Sequence, residues 1–245
     1  GTPVVASSRS LLGNFLAAGT ADGRVALAQA RYIPKYENEK LSGLDVSVRE
    51  RGLATVDPAG RPVREVSYNE ESEGTRSVAA IVGDYEVALW RADDAGETRQ
   101  AVVTIEGGRK VTHVSVGRRG AIAAATETGH LYYWVFDEDE PRLTDVVSVA
   151  NEPVTALEFL IGGTSLVLGT ASGEVTSWFR AAVGDGPETM LRAHVYEPQG
   201  SAVVAFAPSP RERSFAATGA DGTLVLRYQT SERTLARLPG VGAMS

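Results

Sequence analysis

Chemistry near neutral pH starts with histidine, the side chain that titrates and binds metals there. The chain has three: His113, His130 and His194. None stands at a metal-ligating spacing such as His-x-x-x-His. The run Asp137-Glu138-Asp139-Glu140, just before Pro141, offers carboxylates to a cation. It lacks the glycine and the alternating ligands of a calcium loop and reads as a solvated turn. Gly107-Gly108-Arg109-Lys110 has a superficial look of phosphate binding, but neither P-loop spacing nor a following helix supports it, and a solvated turn is the better reading. Arg118-Arg119, and the nearby pair Arg211 and Arg213, fall in predicted hairpin turns. Such arginines can meet acidic partners or lipid headgroups, and most exposed ones do neither. There is no cysteine for a disulfide or thiolate site and no Gly-x-Ser-x-Gly elbow. The expectation is therefore no catalytic residue, no metal site and no cofactor.

The elements that hold these residues are short hairpins. Leu166-Val167-Leu168-Gly169-Thr170 runs into Ala171-Ser172-Gly173 and out through Glu174-Val175-Thr176-Ser177-Trp178. Ser172-Gly173 is a two-residue turn between strands, since glycine takes a positive φ without steric cost. The same phrase recurs at Asp22-Gly23, Thr128-Gly129 and Asp221-Gly222, and in weaker form at Asp84-Tyr85. The second turn residues are spaced 62, 44, 44 and 49 positions apart. Four-stranded units of this length, repeated, predict the blades of an all-β propeller.

The units fall at about 1–61, 62–107, 108–150, 151–194 and 195–238 of a single domain, with 239–245 as the start of a further unit. The opening Gly1-Thr2-Pro3, without a methionine, suggests an excised fragment, so the ring is expected to be incomplete. The stretch 33–60 carries Pro34, Gly43, Gly52 and Pro58 and is expected to be irregular apart from the alternating run 44–48. The segment from Asn69 to Gly74 is expected to be an exposed acidic loop. Stacked blades bury each other's apolar faces. The innermost strands should then be the apolar ones, and 121–125, 167–168 and 202–207 are the candidates. Trp90, Trp134 and Trp178 each stand five residues after a turn mark and read as packing wedges between blades.

Unit five carries a resemblance. Leu191-Arg192-Ala193-His194, then Val203-Val204-Ala205-Phe206-Ala207-Pro208-Ser209, then Thr218-Gly219-Ala220-Asp221-Gly222 resembles a WD repeat. Ala193 replaces the glycine before the histidine, and Arg227-Tyr228 stands where Trp-Asp would be. The resemblance implies a structural role for His194. A second resemblance runs through Leu16-Ala17-Ala18-Gly19-Thr20-Ala21-Asp22-Gly23-Arg24-Val25-Ala26-Leu27 and the closing Leu235-Ala236-Arg237-Leu238-Pro239-Gly240-Val241-Gly242-Ala243-Met244-Ser245. These stretches look like the soluble insert of phosphate ABC transporter permeases of the PstC type. That would imply a periplasmic domain of an inner-membrane protein, tethered through segments outside this sequence.

With 43% hydrophobic and 22% charged residues the composition is globular, and a net charge of −7 argues against a nucleic-acid surface. Two functions follow. The first is a non-catalytic interaction or regulatory propeller. Its partners would be transporter subunits, a substrate-binding protein, or a second copy paired through open sheet edges. The alternative is a ligand-binding or enzymatic propeller with a small-molecule site in its channel. The predicted apolar inner strands favour the first.

Overall fold

A computed structural model describes residues 1–10, 14–71, 74–93, 95–136 and 140–240. The chain folds as five four-stranded antiparallel sheets, each a consecutive meander. Blade 1 is β1 (Val4–Arg9), β2 (Phe15–Thr20), β3 (Arg24–Glu37) and β4 (Lys40–Thr55). Blade 2 is β5 (Glu65–Glu70), β6 (Arg76–Ile81), β7 (Glu86–Ala92) and β8 (Thr98–Thr104). Blade 3 is β9 (Val111–Val116), β10 (Ala121–Thr126), β11 (His130–Val135) and β12 (Arg142–Ser148). Blade 4 is β13 (Val154–Phe159), β14 (Ser165–Thr170), β15 (Val175–Ala182) and β16 (Glu188–Tyr196). Blade 5 is β17 (Val203–Pro208), β18 (Ser214–Gly219), β19 (Leu224–Tyr228) and β20 (Thr234–Leu238).

Successive side chains on a strand point to opposite sheet faces, so each middle blade feeds two cores. In β6, Val78 and Ala80 pack toward blade 1 while Ala79 and Ile81 pack toward blade 3. In β10, Ile122 and Ala124 face blade 2 and Ala123 and Ala125 face blade 4. Four apolar clusters thus sit in the four gaps between five blades. Trp90, Trp134 and Trp178 are buried, each in the gap before its own blade.

The innermost strand of every blade is its first. β1, β5, β9, β13 and β17 pack side by side in that order. The expectation that 121–125 and 167–168 line the axis is therefore corrected: they belong to the second strands β10 and β14. Those strands are the most apolar because blades cover both of their faces. An innermost strand instead borders the channel and carries polar groups.

Two further expectations change. The stretch 33–60 is largely regular: β3 and β4 pair from Arg24↔Thr55 out to Glu37↔Lys40, with Pro34 opposite Leu44. Beyond Ala30 the pair leaves the blade as an arm. Asn69 and Glu70 are not in an exposed loop but buried at the end of β5. The Asn69 amide donates to the Gly117 carbonyl, and Glu70 pairs with Arg51 and accepts from the Tyr68 hydroxyl. Ser72, Glu73, Asp137, Glu138, Asp139 and the expected further unit at 241–245 lie outside the described residues.

Candidate functional site: the axial channel and the uncovered faces

The turn residues are structural locks. At the end of β2 the Thr20 hydroxyl donates to Asp22 at 2.6 Å and receives the Arg24 amide at 3.1 Å. Thr126 does the same for the turn at Thr128-Gly129, receiving the His130 amide at 3.0 Å. Thr170 does it for Ser172-Gly173, receiving the Glu174 amide at 3.1 Å. Gly173 has φ +92°, a conformation that glycine takes freely. At Asp221-Gly222 the aspartate itself takes the amide and hydroxyl of Thr223, at 3.0 and 2.9 Å. The Asp84 carboxylate lies between Lys110 and Arg64, which hold its pKa below the usual range. Asp22 is drawn down to about 2 by hydrogen bonds from Arg24 and then Thr20. The Gly23 carbonyl accepts the Val56 and Asp57 amides, both at 3.0 Å, which binds the turn to the linker into blade 2.

Of the histidines, His194 is half-buried, with Nδ1 3.2 Å from Glu232 and its ring against Tyr196. His130 lies by the Thr128 turn. His113 faces the axis, where its Nδ1 lies 3.0 Å from Glu65. The other Glu65 oxygen accepts the Val114 amide at 2.8 Å and so ties blade 2 to blade 3. Glu158, on β13, accepts a hydrogen bond from the Ser115 hydroxyl at 3.1 Å. Burial pushes its pKa up to about 7, against the pull of Ser115. Ser8, Glu65, Ser67, His113, Glu158 and Phe206 all border an axial cavity of about 170 Å³. A second cavity of about 280 Å³ joins Glu158 to Arg9 at the end of β1, to the adjacent Ser10, and to Phe206, Ala207 and Pro208 of β17. Among the described residues no three His, Cys, Asp or Glu side chains stand together as metal ligands.

Sequence reasoning did not single out Glu65 or Glu158 and did not place His113 on the axis. For Glu158 the available signal was a carboxylate within the apolar run 156–159 of β13; Glu65 opens the polar strand β5 and carried none. It also missed the pairs Arg61–Asp57 at 2.8 Å and Arg180–Asp145 at 2.7 Å, whose carboxylates are almost fully buried. In blade 5, Arg227 stands at the position held by tryptophan in blades 2, 3 and 4. It is fully buried, its Nη2 donates to the Glu197 carbonyl, and its Nε and Nη1 have no partner.

Surface apolarity concentrates on blade 1. In the arm, Tyr32, Pro34 and Tyr36 share one face with Leu41, Leu44, Val46 and Val48 by register. Tyr36 is 64% exposed and Val48 66%. Arg31, Lys35, Asp45 and Arg49 take the other face with the exposed Ile33, which lies opposite Asp45, and Lys35 and Asp45 pair at 2.8 Å.

No protein-family model matches the chain, and no curated protein matches it in sequence. In structure it is similar to 1243 solved chains, which marks a widely shared fold rather than one function. One is the Chaetomium thermophilum Sqt1, a WD40 propeller solved with the N-terminus of the ribosomal protein L10 bound. It is 14% identical, with a TM-score of 0.62. The match covers 97% of this chain and 62% of that one, so the chain spans less than two thirds of Sqt1. At that identity the likeness speaks to architecture alone: the chain is an all-β propeller of five four-stranded antiparallel blades.

Proposed function

We propose that this propeller is a non-catalytic protein-interaction module. One observation carries the reading: β3 and β4 leave the blade and hold tyrosine, leucine and valine side chains in solvent. Contiguous exposed apolar surface of this kind marks an interaction site. On the sequence resemblance, we further propose that the domain is the periplasmic insert of a phosphate ABC transporter permease. A phosphate-binding protein or another transporter subunit would be its partner. Calorimetric titration of the chain with such a phosphate-binding protein, and with the other subunits, tests this. A saturable complex is expected, and heat of dilution alone with all of them removes the transporter assignment.

A second reading is favoured by the axial cavity, where Glu65, His113 and Glu158 converge. It predicts a small ligand there. Thermal shift against inorganic phosphate, calcium and small sugars separates the two. A flat response is expected. Stabilisation by several degrees, abolished by Glu158→Gln, would favour the channel site.

A further inference from the structure

We propose that two copies of this chain pair through the outer edge of β4, antiparallel about a two-fold axis at Ser47. The proposal rests on the reading of the propeller as an interaction module and names its partner as a second copy. β4 has 16 residues and β3 has 14, whereas the outermost strands of the other blades have five to nine. A two-stranded hairpin standing alone in water is marginal, and three or more strands make a stable sheet. Among the described residues, β3 beyond Ala30 pairs with β4 alone. The two edges of the arm differ. Pro34 has no N–H, which blunts the β3 edge, while β4 between Lys40 and Thr55 contains no proline.

The β4 sequence suits self-pairing at one register. An antiparallel strand pairs with its own copy so that residues equally far from the axis face each other, the isologous arrangement of a two-fold dimer. With the axis at Ser47, Val46 of each copy meets Val48 of the other on the apolar face, and next to them Leu44 meets the aliphatic stem of Glu50. On the opposite face Asp45 meets Arg49, twice. All six side chains are exposed. Further out, Leu41 comes opposite Leu53, both exposed, and Gly43, with open space around it, comes opposite Arg51, the residue that bulges from the β3–β4 ladder. Directly opposed apolar pairs and opposite charges are the contacts that stabilise cross-strand neighbours, and like charges there are unfavourable. Two arms would form a four-stranded sheet continuous with both first blades.

Charge exchange tests the register without touching any core. Asp45→Arg places two arginines opposite each other at both positions, and Arg49→Asp places two aspartates there. Sedimentation velocity over a wide concentration range should show the native chain as a dimer and each variant at least tenfold weaker in self-association. An equal mixture of the two variants should restore the dimer, because each arginine of one variant then faces an aspartate of the other. A native chain that stays monomeric overturns the proposal, as does a dimer indifferent to both exchanges. The latter would show a face-to-face stack of the arms, since Asp45 and Arg49 lie on the polar side. A monomer that still binds a phosphate-binding protein would sink the self-pairing and leave the interaction reading standing. A phosphate-stabilised channel would sink that reading, while the mixture still decides the dimer.

Discussion

Glu158 is a carboxylate held where charge is disfavoured, and its pKa of about 7 links stability to pH near neutrality. The sign follows from proton counting. The folded value lies above the unfolded value of about 4.5, so the native state holds the extra proton between about pH 4.5 and 7. Stability therefore falls as pH rises through that window. We predict that Glu158→Gln, which keeps an acceptor for Ser115, unfolds at higher urea than the native chain at pH 8. The gain is about 1–2 kcal/mol, allowing for screening by water in the channel. It should vanish at pH 4.5, and a gain that is equal at both pH values would mean that Glu158 is not the titrating group. The lowered carboxylates Asp22, Asp57, Asp84 and Asp221 act the other way: their stabilisation is present above about pH 4 and is lost as acid approaches their folded values. Arg227 is the second residue out of balance. Burial lowers its pKa, and two of its nitrogens have no partner. Replacing an imperfectly satisfied buried ion by an apolar side chain of similar length is often neutral or stabilising. Arg227→Met should leave the urea midpoint unchanged or raise it, by up to about 1 kcal/mol. A loss above about 2 kcal/mol would assign the guanidinium a larger role than its one bond to Glu197.

At the scale of elements, the ends of the second strands decide how closely blades stack. Gly19 and Gly169 precede the turn-locking Thr20 and Thr170. A Cβ at Gly169 would come within 2.5 Å of the Val203 side chain, and one at Gly19 would meet Val63 at least as closely. In both places the first residues of the next blade, or of the linker into it, occupy the space that a side chain would need. Gly169→Ala should therefore cost about 1–3 kcal/mol through overpacking, read as a lower denaturant midpoint with the transition slope unchanged. A silent Gly169→Ala would show that blades 4 and 5 slide apart without penalty. The hairpins were legible because the signal is local: in blades 3 and 4 a turn glycine, a flanking threonine and a tryptophan five residues on, with the glycine and threonine alone in blades 1 and 5. The channel was not, because apolarity marks strands covered on both faces. In β10 and β14 those strands are second, not first. The arm showed only in the alternating run 44–48, because Pro34, Gly43 and Gly52 read as breaks although β3 and β4 pair through all three. Glu70 was misplaced for a similar reason. Its neighbours Glu71 and Glu73 look like a loop, and the Arg51 that neutralises it lies far away in sequence.

For the whole molecule, the stack is a one-dimensional array with two ends. Blades 2, 3 and 4 are covered on both sides, while blades 1 and 5 each have one covered face. Packing joins β1 to β5, β5 to β9, β9 to β13 and β13 to β17, and no packing of that extent joins β17 back to β1. The 280 Å³ cavity lies at that seam, between Arg9 and Phe206. The exposure along the innermost strands fits: β5, β9 and β13 are mostly buried, whereas Val4 and Val5 of β1 and Val204 of β17 stand in solvent. In a nearest-neighbour array each unit's stability is its own plus that of its interfaces, so a terminal unit lacks one interface term. Local opening then begins at the ends and propagates inward. Hydrogen–deuterium exchange should find β6, β10 and β14 slowest, β20 and the arm of β3 and β4 fastest, and β18 between them. If blade 5 exchanges as slowly as blade 3, the seam is closed in solution, and the exposure of Val204 must then be covered by contact with blade 1. If self-pairing through β4 is present, protection of 41–53 should rise with protein concentration while that of β20 stays fixed, because only one end of the array has an edge shaped for a second copy.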